Sequence, residues 1–117
     1  FFWYTSIRWS VTSSIKLNTM KLPESILNSL ELEYKEGVFP LIEIKLTGNV
    51  HFKQLTETIA DYYNTPFIIV KLELEYIGKA NFGQMIVHLK GNPDQNEQVV
   101  RYFNQSNIDN ILHGYAA

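Results

Sequence analysis

From Phe39 to Ala116 the apolar residues change their spacing four times along the chain. This restricts the fold more than any other feature. A side-chain period of two belongs to a strand, and a period near 3.6 to a helix. "FPLIEIKLTG" alternates, with Ile42, Ile44 and Leu46 set against Glu43, Lys45 and Thr47. "HFKQLTETIADYYN" repeats at three and four through Phe52, Leu55, Ile59 and Tyr62/Tyr63, and Asn64-Thr65-Pro66 stops it. "FIIVKLELEYI" returns to two, with Val70, Leu72, Leu74 and Tyr76 on one side and Lys71, Glu73 and Glu75 on the other. "GKANFG" is the expected turn, and "QMIVHLK" the return strand with Met85, Val87 and Leu89 inward. "GNPDQNEQVVRYFNQSN" opens a second helix: Asn92 is the expected N-cap, Pro93 sits in the first turn, and Gln95 can reach back as in a capping box. "IDNILHGYA" closes the order as a strand.

Strand, helix, strand, strand, helix, strand is the split βαβ pattern. It predicts an α+β, ferredoxin-like βαββαβ domain, with a four-stranded antiparallel sheet and two helices on one face. The helix-free face is expected to carry Glu43, Lys45, Lys71, Glu73, Glu75, His88 and Lys90. It reads either as a solvated face or as a surface for dimerisation. Within the hairpin, Gly83 is expected to permit a bulge or a positive φ, with Phe82 packing over an end of the core.

Upstream, residues 1–13 read as a tail or linker and 14–117 as one domain. Ile15 and Leu17 alternate with Lys16 and Asn18, which predicts an extra edge strand. "LPESILNSL" follows as a short helix with Pro23 at its start and Ile26, Leu27 and Leu30 on one side. The chain starts with Phe, as expected for a piece of a longer or processed protein. "FFWYTSIRW" lacks a basic region and a cleavage site and is far shorter than the ~20 residues of a membrane span. It reads as a linker, or as a docking segment for another domain or a membrane neighbour.

Composition narrows the chemistry. Ten basic and 12 acidic residues give a net charge of −2 with no basic stripe, which argues against nucleic acid and anionic membrane as partners. RRM domains share the expected topology but stack bases on sheet aromatics, where this chain has Lys, Glu and His. The absence of cysteine removes disulfides, thiolate nucleophiles and Cys-ligated zinc, and fits a cytosolic protein. No G-x-x-x-x-G-K-[ST], G-x-S-x-G or H-E-x-x-H run occurs, so no catalytic residue, metal ligand or cofactor is assigned to this chain. His51, His88 and His113 show no ligand spacing, and Glu73 and Glu75 read as solvated. An acylphosphatase-like enzyme would need an Arg/Asn pair in a phosphate loop, and none is convincing.

Two places could hold a small ligand. One is Gly48-Asn49-Val50, at the expected start of the first long helix, where free N–H groups favour a carboxylate. The other is the apolar segment Phe67, Ile68, Ile69 and Val70, which opens the second strand. On the residues alone, each is equally an ordinary cap or an ordinary core strand.

"FPLIEIKLTG", the helix ending "YYNTP", "LEYIGKANFGQMIVHLKG" and a final "GY" resemble the NIL domain, over roughly residues 14–116. That family is the C-terminal regulatory domain of the ATP-binding subunit of bacterial methionine ABC importers. The resemblance implies a homodimer that binds cytoplasmic methionine near its pairing surface and thereby inhibits uptake. The parent subunit would carry ATP and Mg upstream and work with the importer's membrane subunit on the cytoplasmic face of the cell membrane. By the same resemblance Phe82 and Gly83 recur at the base of the hairpin, which reads either as a structural hairpin device or as a placement near a pocket. Ile68 stands where the family's Asn-Ile-Leu run has its asparagine, and an isoleucine cannot hydrogen-bond an amino acid's charged ends. The literal Asn110-Ile111-Leu112 falls in the last strand. Two other readings stand beside the methionine sensor: a purely dimerising module, and an ACT-like sensor of another apolar amino acid.

Overall fold

The computed structural model describes residues 20–48 and 50–117. Its elements are α1 (Glu24–Leu27), β1 (Phe39–Thr47), α2 (Phe52–Glu57), β2 (Phe67–Ile77), β3 (Ala80–Leu89), α3 (Pro93–Gln105) and β4 (Asn110–Ala116). A π-helical turn at Thr58–Tyr62 extends α2. The strands form one antiparallel sheet in the order β2-β3-β1-β4, as the βαββαβ pattern requires. Most of the expected extra strand lies outside the described residues, and Met20, Lys21 and Leu22 form no strand.

One face of the sheet carries α2 and α3. Ile42, Ile44 and Leu46 of β1 and Met85, Val87 and Leu89 of β3 meet Leu55, Ile59, Val99 and Phe103 in the main core. The caps differ in origin. The Asn92 side chain accepts from Gln95 N at 2.8 Å and the Gln95 side chain accepts from Asn92 N at 2.9 Å, the reciprocal box expected from the sequence. At α2 the cap is His51, whose Nδ1 accepts from Lys53 N at 3.3 Å. Asn49, the residue expected there, lies outside the described residues.

The other face is not open. Residues 20–31 cross it as a strap. Met20, Leu22, Ile26 and Leu30 pack on Leu41, Ile86, Val70 and Ala116 in a second apolar cluster. β1 is therefore covered on both sides and buried almost throughout, as a central strand with two covered faces must be. This corrects the expected solvated face: Glu43 is completely buried and His88 nearly so, while Lys45, Lys71 and Lys90 are half-buried. Glu73 and Glu75 are exposed as expected.

Both edge strands carry a bulge. In β2 the register slips between Ile69 and Lys71, so Val70 is the inserted residue. In β4 it slips between the partners of Leu41 and Ile42, which makes His113 the inserted one. A bulge re-aims side chains. Val70 turns to the strap's cluster, and His113 turns to Glu43. Val70 therefore does not share a face with Leu72, Leu74 and Tyr76, contrary to the simple alternation.

Candidate pairing and ligand edge

The β2–β3 hairpin turns on Gly78-Lys79 alone, with Gly78 at φ 64. Phe82 and Gly83 therefore lie within β3 and not in the turn. Gly83 has φ 154, and a Cβ there would overlap the Glu73 carbonyl oxygen. The glycine lets β2 close tightly on β3. Phe82 lies against Gly48 (φ 91), where a Cβ would come within 2.8 Å of the ring. Phe82 thus pins the β1–α2 turn.

Because the Glu73 carbonyl points at β3, the backbone groups of Leu72 and Leu74 point away from it, to the outer edge. Among the described residues nothing pairs with that edge. The opposite edge differs: Glu31 and Tyr115 exchange two backbone hydrogen bonds of 2.8 Å, so the strap ties down β4. The open edge is also apolar. Ile68 is 54% exposed, Ile69 36%, Leu72 40%, Tyr76 59% and Ile77 65%. A long, bare, apolar edge strand is a template for another strand unless something covers it.

The bulge gives this edge an internal symmetry. Opposed residues in an antiparallel pair share a face. Phe67, Ile69, Leu72, Leu74 and Tyr76 therefore lie on the helix side, opposite Leu89, Val87, Met85, Gly83 and Asn81. With Val70 set aside as the bulge, these five are apolar and balanced about Leu72. On the strap side Lys71 and Glu73 flank the same centre, and Ile68 and Glu75 lie further out.

The sequence-derived candidates fall into two groups. Phe67, Ile68, Ile69 and Val70 sit at one end of β2, with Ile68 opposite His88. Gly48, Val50, Phe82 and Gly83 sit near the other end of β3. Within one chain the structure does not bring the two groups together. Near the second group lies Asn81, which the sequence does not single out. Its Oδ1 accepts from Phe52 N at 2.9 Å, and its buried Nδ2 has no partner among the described residues. His51 meets the Tyr76 ring at 6.2 Å.

The other feature that sequence reasoning misses is a polar knot beneath the strap. Glu43 accepts from His113 Nε2 at 2.8 Å and from Met20 N at 3.2 and 3.3 Å. His88 Nε2 donates to the Ala116 carbonyl at 3.0 Å. Burial lowers the His88 pKa from its ordinary 6.5; the hydrogen bond to Ala116 opposes this, Lys90 adds to it, and the hydrogen bond to Phe39 opposes it again. No cluster of three or more metal-binding side chains occurs among the described residues, and no helix there is long and apolar enough to cross a membrane.

Comparison with known proteins agrees with this fold. The NIL domain family model matches residues 40–109. The methionine import ATP-binding protein MetN of Vibrio cholerae is 30% identical over 96 residues, covering 82% of this chain and 28% of that protein. The protein of the same name from Vibrio vulnificus is 27% identical with the same coverage. The chain thus spans little more than a quarter of the length of these relatives. Among solved structures, the C-terminal domain of an ABC transporter/ATP-binding protein from Enterococcus faecalis superposes with a TM-score of 0.58 at 11% identity, over 64% of this chain and 83% of that one. The matched span takes in β1, both long helices, the hairpin and its bulged edge, and on that match this chain belongs to the NIL domain family.

Proposed function

We propose that this chain is the regulatory domain of the ATP-binding subunit of a methionine importer. In this reading it pairs with a second copy along β2 and binds L-methionine, or a similar apolar amino acid, at that pairing to inhibit uptake. The observation that carries the reading is the open, apolar β2 edge, symmetric about Leu72 and beginning with the candidate ligand segment Phe67–Val70. A two-fold centred on Leu72 sets Lys71 opposite the partner's Glu73 and Ile69 opposite the partner's Leu74. Apolar residues then meet apolar ones on the helix side, and opposite charges meet on the strap side. The same two-fold brings Phe67 of one copy beside Tyr76 of the other. The two candidate groups, separate within one chain, become neighbours across the interface.

The identity of these relatives as methionine import ATP-binding proteins supports the importer assignment. Catalysis, ATP and Mg then belong to a domain outside this chain, and the subunit works with the membrane component at the cytoplasmic face. Inhibition requires methionine to bind the non-transporting arrangement more tightly than the transporting one. The Ile68 side chain offers no hydrogen bond, so the ligand's charged ends are met by backbone groups that strand pairing leaves free, as at the Val70 bulge.

Isothermal titration of this chain with L-methionine, with leucine as control, tests the reading. A saturable methionine signal at one site per chain or per dimer supports it. Heat with leucine alone points to a sensor of another apolar amino acid. No heat at millimolar methionine sinks the sensor and leaves pairing as the function, the second reading that Ile68 favours.

A further inference from the structure

We propose that the strap, residues 20–31, is coupled to pairing at the β2 edge through the bulge at Val70, an inference that rests on the pairing reading above. The strap touches every strand of the sheet. Its Met20 amide donates to Glu43 of β1, Lys21 O accepts from Lys71 Nζ of β2 at 3.1 Å, and Glu31 bridges to Tyr115 of β4. Leu22, Ile26 and Leu30 lie in the cluster that contains Ile86 of β3 and Val70 of β2.

Two of these contacts fall on the bulge itself. Val70 and Lys71 are consecutive, yet both serve the strap side: one enters its apolar cluster and the other holds its carbonyl. In a regular strand consecutive side chains point to opposite faces, so only the bulge allows both contacts. Strap seating and the bulged register therefore stabilise each other. Without the bulge, the start of β2 slips by one residue. Val70 then takes the place of Ile69 on the helix side, opposite Val87, and Ile68 takes that of Phe67, opposite Leu89. That slip would alter the face that Phe67–Val70 offers to a second copy or to a ligand. Pairing in the observed register, with Ile69 opposite the partner's Leu74, uses the bulge that the strap holds. The two events favour the same state, and by linkage each strengthens the other.

The test uses two variants away from the β2 edge: Ile26→Asp combined with Leu30→Asp, and Glu43→Gln. Hydrogen exchange is read at residues 20–31 and 69–72, with α3 as a folding control, and the dimer dissociation constant is measured by sedimentation. The expected result is faster exchange at 20–31 and 69–72 together, and a dissociation constant raised by roughly tenfold, within the usual range of coupling. Loss of strap protection with residues 69–72 and the dissociation constant unchanged overturns the inference. So does unchanged protection of the strap in both variants, because the named contacts would then not hold it. If the unsubstituted chain stays monomeric at every concentration, the pairing reading falls on its own. Exchange at 69–72 in the variants still decides whether strap and bulge are linked.

Discussion

Glu43 has no exposed surface, and its carboxylate is held by the His113 ring and the Met20 amide. The alternation of β1 places it on the face away from the helices, which is correct. That the face is covered cannot be read from the strand. Burial there comes from Met20, Leu22, Ile26 and Leu30; the apolar side of their short helix is legible, but not which face of the sheet it covers. The Asn92 cap is fully legible, because both halves of its box lie within four residues of sequence. His88 adds a consequence of burial. Its folded pKa lies below the ordinary 6.5, so the unfolded chain takes up the proton more readily. The stability that neutral His88 contributes is complete above 6.5 and is lost as pH falls through the lowered folded value. Urea denaturation at about pH 7.5 and about pH 5 should show a larger loss for the unsubstituted chain than for His88→Gln, whose amide can still donate to Ala116. Equal losses would mean that His88 does not titrate against folding.

At the scale of the element, β2 and β3 show what pattern reading can reach. Both strands, their antiparallel pairing and the inward set Met85, Val87 and Leu89 follow from alternation. The bulge does not, because "FIIV" is apolar at every position and hides the phase of the strand. That is why simple alternation groups Val70 with Leu72. The sequence also makes the turn too wide: "GKANFG" contains the turn Gly78-Lys79 and then the first residues of β3. The second glycine belongs to close strand approach. Gly83→Ala must displace the Glu73 carbonyl and strain the ladder on both sides. We expect a loss of about 2–4 kcal/mol in urea denaturation, at the upper end of single substitutions. Gly37→Ala is the control, since it also has a positive φ (92) but meets nothing within 4 Å. A similar cost for both would assign the effect to backbone strain and not to the carbonyl.

For the whole molecule the decisive property is the asymmetry between two sheet edges. The strap ties down β4, and among the described residues nothing pairs with the outer edge of β2. The sequence points to the segment Phe67–Val70 but does not show which edge is free, because that depends on where the strap ends. If pairing is centred on Leu72, each dimer contains two Lys71–Glu73 contacts across the interface. Opposite charges directly across a strand pair contribute roughly 0.2–1 kcal/mol each, and like charges oppose pairing by similar amounts. In a dimer of the Lys71→Glu variant, two carboxylates face each other at each of these contacts. In a dimer of the Glu73→Lys variant, two ammonium groups do. Each variant alone should dimerise more weakly, by about tenfold in dissociation constant, which is the effect of about 1.4 kcal/mol. Mixed together, the two variants complement each other at both positions, and the heterodimer should outcompete both homodimers. Lys71→Glu also removes the tie to Lys21 O, so association of the mixture can remain below that of the unsubstituted chain. The comparison that matters is between the mixture and each variant alone, by sedimentation at matched total concentration. If mixing gives no more association than the separate variants, β2 strands do not meet about Leu72. The two candidate ligand groups would then have to be brought together by some other contact, or act apart.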